Sequence, residues 1–595
     1  MSGRRRNEGL LLERSTSIAG PAVPARDGRT VPMSDAAEWL ARLSLRQKVA
    51  QIVMPRIGGE YMPAGSADFE RYRHWVSDLE VGGVIVSMGP PLEIAAKLNT
   101  LQGLAPLPLL VSADMESGPG RVLTGGVILP YGLENGGGTQ FPPLMALGAT
   151  ADTGTAYELG RITALEGRAV GIHVAFAPVV DVNSNPRNPI INTRSYGADP
   201  ELVARMAAAH VRGLQDHGML ATAKHFPGHG DTATDSHLEL ASTTATADAM
   251  RRVHLTPFRA VIEAGIACIM SGHIATPSLT GDSVPATLSP ELIDTLLRSE
   301  MGFAGLVFTD ALDMGAITKD HGAAGAGLLA LRAGVGVLLQ PPAADVAAVI
   351  SGVVEAVEQG ILAEERVDSA VRRVLAAKQR LGLFEDARVS LDRVPEVVGI
   401  PAHVDSAVDA ASRAITVLRN ADALLPLASR SALCAVFTEE HDPLMGRHFI
   451  DELTPCMPRL ETLTLDAAAG PATLAARLEQ FAAAAELVEI VIFAPFTRVA
   501  PGIDAAALNA DVVACVEDIS RRRWVAIVSF GNPYIFERFP LAACHVAAWS
   551  GSQTMQRAAA RALAGRTAVR GTLPIPVPPL YESGAGMQLD PARRP

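Results

Sequence analysis

The sequence predicts an α/β protein in two parts, a TIM-type (β/α)8 barrel followed by a three-layer αβα sandwich. Short apolar runs with strand character recur about eight times in roughly the first 350 ordered residues, with helical patterns between them, and such alternation implies a parallel sheet. Polar residues close five of those runs: Asp114, Asp181, Lys224 with His225, His273 and Asp310. In a barrel that edge is where βα loops carry chemistry. After a looser stretch, a second series of strands alternates with alanine-rich helices.

Taken in order, residues 1–34 carry positive charge at Arg4 to Arg6 and only Leu10 to Leu12 as an apolar run. This predicts a disordered tail without a secretory signal, and hence a cytoplasmic protein. The barrel is expected over 35–390. It begins with a helix near Asp35, and Ser44 and Gln47 are spaced as a capping box for a second turn. Strands are expected at 52–57, 81–87, 107–114, 174–181, 220–226, 268–273, 306–310 and 335–339. Asp199-Pro200-Glu201 and Ser289-Pro290-Glu291 each read as a helix start, with a cap, a proline and then an acid at the positive end of the dipole. Pro395, Pro401 and mixed charge mark 391–416 as a linker. The second part, 417–595, has strands at 433–437, 487–493, 524–530 and 546–549, helices at 471–485 and 554–564, and the extended run LPIPVPPL near its end.

Composition narrows the function. Lys and Arg number 51 against 63 Asp and Glu, giving −12, with no basic block beyond Arg4 to Arg6, so nucleic acid is an unsuitable partner. No apolar run approaches the length of a bilayer span. The five cysteines are scattered through apolar segments without CxxC spacing and read as reduced core residues. No phosphate-binding or dinucleotide glycine motif is present, so no nucleotide cofactor is expected.

The densest chemistry lies in HGMLATAKHFPGHGDTATDSH, 217–237. Lys224 and His225 end a buried strand, where charge has no packing purpose and suggests a ligand. Gly228 and Gly230 open a polar loop, and Asp235 stands two residues before His237, so the carboxylate can fix the imidazole's tautomer and raise its basicity. Alone, such a triplet would be a capping Asp and a solvated His; the Lys-His strand end and the double-glycine loop shift the reading towards proton transfer. His225, His229, Asp231 and His237 could also ligate a metal, but without Cys pairs or a helical His-x-x-x-His no metal is expected.

With these residues in view, the chain resembles glycoside hydrolase family 3, in its β-N-acetylglucosaminidase branch. KHFPGHGDTATDSH resembles the hallmark loop of that branch, and FAPVVDVNSNPRNPIINTRSYGADP, FPPLMALGAT and GFAGLVFTDALDMGA its other barrel motifs. AITVLRNADALLPL and VAIVSFGNPYIFERFP resemble the C-terminal sandwich that some members carry. The resemblance implies Asp310 as catalytic nucleophile, Asp235 and His237 as the acid/base dyad, and Lys224, His225, Arg194, Asp114 and Arg121 as sugar-binding residues. It implies no cofactor, a small carbohydrate as the only partner, and a monomer or weak homo-oligomer. The usual run before the second sugar-binding arginine appears here as DMESGPGRV, with an insertion before Arg121; Ala311 replaces a frequent Asp, and Asp313 stands where Ser is common.

The reading is therefore a retaining exo-glycosidase releasing β-linked N-acetylglucosamine, with peptidoglycan-derived fragments as the expected substrate. The alternatives are a phosphorylase of the same glycosides, since a neutral base repels phosphate less than a carboxylate does, and a non-catalytic sugar-binding protein on an inherited barrel.

Overall fold

A computed structural model describes residues 36–125, 127–128, 134–135, 137–234, 239–427, 430–442, 444–497 and 508–592. The expected tail at 1–34 lies outside them, as do Asp235 and His237. Helices Ala36–Arg42 and Leu45–Ala50 open the described chain, the second with a complete capping box: Ser44 accepts from the Gln47 amide, and the Gln47 side chain returns to Ser44.

Eight parallel strands follow: β1 (Val53–Met54 and Arg56–Ile57), β2 (Gly83–Val86), β3 (Leu110–Ala113), β4 (Val174–Ala175), β5 (Leu220–Phe226), β6 (Cys268–Ser271), β7 (Leu306–Thr309) and β8 (Leu338–Leu339). Each pairs with its sequence neighbour through β7, a Phe308–Val337 bridge leads on to β8, and Val53 and Met54 pair with Leu338 and Leu339. The barrel is thereby closed, leaving no edge strand. Its strands are apolar on both faces because side chains fill the interior and helices cover the outside. The expected cap at Asp199 is present, its side chain accepting from the Glu201 amide at the start of helix Pro200–Asp216.

The second part is a six-stranded sheet built from β9 (Thr416–Asn420), β10 (Ala432–Thr438), β11 (Leu460–Asp466), β12 (Ile490–Phe496), β13 (Trp524–Ser529) and β14 (Cys544–Ala547). The order is β9-β14-β13-β12-β10-β11, with β9 alone antiparallel. Helices Pro471–Ala485 and Ala510–Ser520 pack together as one layer, and Gln553–Leu563 with Arg447–Leu453 and Pro401–Ala414 as the other. The two outermost strands, β9 and β11, were not among the four expected. An edge strand such as LETLTLD, with a single buried residue, lacks the continuous apolar run that marks the central strands.

The stretch 391–416, expected as a linker, is ordered and largely helical, with helix Pro401–Ala414 burying His403, Ala407, Ala410, Ala411 and Ala414. Pro401 occupies the first helical turn, where its missing N–H is harmless, and so starts this helix rather than breaking it. The two hydrophobic cores meet here: Met145, Ala146 and Ala149, on helix Leu144–Thr150 between β3 and β4, belong to the sandwich core. The LPIPVPPL run also packs back, with Ile575 buried and the Pro574 carbonyl accepting from the Ala198 amide. Asn183 donates to the Tyr534 hydroxyl at 2.8 Å, tying the loop after β4 to the second sheet.

Candidate active site

The C-terminal ends of the barrel strands surround a cavity of about 640 Å³, lined among others by Asp114, Glu116, Arg121, Arg194, Lys224, His225 and Asp310. Six of the eight expected site residues thus converge from four separate βα segments. Phe176 contributes to the lining and packs edge-on against Phe308 of β7, with ring centroids 5.2 Å apart.

Charge in this cavity is held in pairs. Lys224, 3% exposed, donates to Asp114 Oδ1 at 2.7 Å and lies 2.8 Å from Glu116 Oε1. Arg194 grips Glu116 with two parallel bonds, Nε to Oε2 at 3.0 Å and Nη2 to Oε1 at 2.8 Å, the fork geometry that makes arginine specific for carboxylates. Burial pushes the Glu116 carboxyl up, but Arg194, Lys224 and Arg121 together hold it well below its usual range. Burial likewise opposes the Lys224 ammonium, and Asp114 and Glu116 overcome it, raising its pKa. Glu116 was missed in the sequence. Its position two residues beyond Asp114, in the same loop, is the signal that could have found it.

Asp181, fully buried, organises the other side. Its Oδ2 lies 2.8 Å from His225 Nδ1, and its Oδ1 accepts from the His229 amide at 2.6 Å. Burial raises the Asp181 carboxyl, and His225 and His229 bring it back below its ordinary value. An anionic Asp181 accepts from Nδ1–H of His225 and leaves Nε2 towards the cavity, 3.4 Å from Arg194 Nη2. The Lys224–His225 peptide bond is cis.

Asp310 follows β7, its amide bonded to the Ser271 carbonyl and its Oδ1 accepting from the Ala311 amide at 2.8 Å. Burial raises its pKa, but the fields of His225 and His273, the Ala311 amide and Lys224 outweigh that and hold the carboxyl below its usual value. It is therefore a carboxylate near neutral pH. Asp313 also lines the cavity, accepting from Gln340 at 2.9 Å.

The loop that leads towards Asp235 is anchored on both sides of those residues. Asn188 Nδ2 donates to the carbonyls of His229 and Thr232 at 2.7 and 3.0 Å, and Asp231 accepts from the amides of Thr244 and Ala245. Gly230 permits this docking: a Cβ there would meet the Val182 carbonyl oxygen at 1.7 Å. Asp231 takes those bonds on its Oδ2, and His229 Nδ1 lies 2.6 Å from Thr232 Oγ1.

The chain is similar to several known proteins. Over 372 residues the chain is 32% identical to a beta-N-acetylglucosaminidase/beta-glucosidase of Cellulomonas fimi, an alignment covering 61% of this chain and 63% of the relative, so the chain spans under two thirds of that protein. A glycoside hydrolase family 3 beta-N-acetylglucosaminidase from Paenibacillus sp. superposes with a TM-score of 0.77 at 31% identity, covering 90% of this chain and 99% of that one. A structure described as the beta-glucoside phosphorylase BglX superposes at 0.78 with 25% identity, covering 91% of this chain and 95% of the other. The profile described as the glycosyl hydrolase family 3 N terminal domain matches residues 44–377, more than half the chain, which therefore belongs to glycoside hydrolase family 3.

Proposed function

We propose that this protein is a retaining exo-glycosidase that releases terminal β-linked N-acetylglucosamine, acting in the cytoplasm on peptidoglycan-derived fragments. The single observation that carries the proposal is Asp310: a carboxylate at a barrel strand's C-terminal end, on a cavity large enough for a sugar, its pKa held down by His225, His273, the Ala311 amide and Lys224. In the first step Asp310 attacks the anomeric carbon while His237 gives its proton to the departing glycosidic oxygen. In the second, neutral His237 takes a proton from water, which attacks the same carbon and frees Asp310. Asp235 orients the His237 ring. Lys224, Arg194, His225, Asp114 and Arg121 bind the sugar, with Glu116 fixing the two cations. Residues 235–237 enter this scheme from sequence alone.

A second reading, transfer to phosphate in place of water, is favoured by the likeness to a beta-glucoside phosphorylase and by a base that is uncharged after donating its proton. One experiment tests both. Purified protein is given 4-nitrophenyl β-N-acetylglucosaminide with and without phosphate. Phosphate-independent release of free sugar is expected; sugar 1-phosphate as the main product would establish the second reading, and complete inactivity of folded protein would leave a sugar-binding protein.

A further inference from the structure

We propose that the opposite end of the barrel carries a binding site for a small tetrahedral oxyanion, inorganic phosphate or a phosphomonoester. A cavity of about 370 Å³ lies where helix Glu291–Glu300 leads into β7 and helix Glu364–Arg380 follows β8, lined in part by Asp294, Arg298, Ser299, Arg366, Ser369 and Arg373. Because Arg298 and Ser299 precede β7, and Leu331, Gly334 and Val335, which also line it, precede β8, the cavity is at the N-terminal ends of the strands, away from Asp310.

Three guanidinium groups face this space with one carboxylate. Arg366 is paired with Asp294 at 2.6 Å, which leaves two positive charges in excess. Arg298 spends Nη1 on the carbonyls of Phe303 and Gly305, at 3.1 and 2.7 Å, and its guanidinium lies 5.4 Å from the Phe303 ring centroid. Arg373 donates Nε to the Ala304 carbonyl at 3.2 Å and Nη1 to Ser369 Oγ at 2.9 Å. These bonds fix both groups in place, so an arriving anion meets a preorganised pair rather than two flexible side chains. Arg298 Nη2, meanwhile, is buried without a hydrogen-bond partner. Its N–H therefore carries an unrelieved desolvation cost, which a nearby anion would offset through its charge.

The electrostatics agree with the geometry. Burial and the charge of Arg373 push Arg298 down to about 10, and burial with Arg372 lowers Arg373, so each cation is penalised as it stands. A dianion in the cavity would relieve both penalties through its charge, and the Ser369 hydroxyl, which accepts from Arg373 Nη1 and keeps its own proton, is a further donor. A neutral ligand would not. Asp294 is the one group that opposes an anion, and Arg366 already neutralises it.

The test is hydrogen exchange of the full-length protein with inorganic phosphate, with glycerol phosphate as a phosphomonoester, and with potassium chloride at matched ionic strength. At about three times its dissociation constant, the bound species should slow exchange about fourfold in the segments 298–306 and 366–374. Stronger protection by phosphate identifies a free-anion site, and stronger protection by the monoester a site for a phosphorylated metabolite. Arg298→Gln should abolish the effect. Because that change also removes the clamp on Phe303 and Gly305, Ser369→Asp is the second variant: it neutralises Arg373 in place, should weaken binding at least tenfold, and should leave glycosidase turnover unchanged. The proposal is overturned by protection no greater than that given by chloride, by protection confined to the catalytic segments, or by an effect that survives Ser369→Asp in folded protein.

Discussion

Lys224 and Lys378 are both buried, 3% and 0% exposed, and burial opposes the charge of each, yet their ammonium groups end in opposite states. At the end that carries the large cavity, Asp114 and Glu116 raise the Lys224 pKa. Lys378, on helix Glu364–Arg380, donates to Gln51 Oε1 at 2.6 Å near the start of β1, and with no carboxylate to offset its burial it falls to about 7. The same residue type in the same barrel is thus a fixed cation at one end and a titrating amine at the other. What separates them is the partner, not the degree of burial, which is why the paired end reads as a built binding site.

The largest expected effect comes from Asp310, the carboxylate whose pKa its neighbours at the cavity hold down. Asp310→Asn should lower kcat/KM on an aryl N-acetylglucosaminide by about 10⁴-fold or more, with an unchanged circular dichroism spectrum. Retention of more than about a tenth of the activity would refute Asp310 as nucleophile. His237→Ala should cripple natural disaccharides while sparing activated aryl glycosides, and equal losses on both would make His237 a gating residue instead.

Glu116→Gln sharpens the comparison by removing one of the two carboxylates that hold Lys224, leaving Asp114. It should raise KM more than it lowers kcat and destabilise the fold by about 3 kcal/mol, because Arg194 and Lys224 lose a buried counter-charge. The variant also tests the acid limb of stability. The folded Glu116 pKa lies well below the ordinary 4.5, so its contribution is complete above that pH and disappears as the pH falls towards the folded value. Urea titrations from pH 6 to pH 3 should show a shallower loss in Glu116→Gln than in wild type.

Lys378→Met addresses the other end and carries the opposite sign. Between about 7 and 10.5 the unfolded chain binds a proton that folded Lys378 lacks, so wild-type stability rises with pH across that window. The methionine variant should lose this slope and be more stable at pH 7, on the order of 3 kcal/mol, with turnover unchanged. No gain at pH 7 would mean that Gln51 compensates the charge. The smallest change is expected from Tyr534→Phe, which removes one bond between barrel and sandwich; about 1 kcal/mol of stability should be lost with little effect on kcat.

Local pattern alone made much of this legible. All eight barrel strands lie where apolar runs predicted them, because strands buried on both faces must be continuously apolar. The capping box at Ser44 and the cap at Asp199 are likewise set by neighbours within three residues. Strand-end polar residues marked the face that carries the cavity before any contact was known, since buried sheets give charge no packing use. Pairing across the barrel was not legible. Glu116 meets Arg194 and Lys224 across 78 and 108 positions of sequence, and Asp181 meets His225 across 44, contacts that closure of the barrel alone brings together. Helix Pro401–Ala414 was hidden for a related reason: its stripe of small alanines is a packing face only because the sandwich and the barrel both present surfaces to it. The sequence by itself determined where each strand ends and which residue types stand there. Only the tertiary structure decided which of those charges acquire partners, because the pKa of a buried group is fixed by what lies within a few ångströms in space, and chain order does not encode that distance.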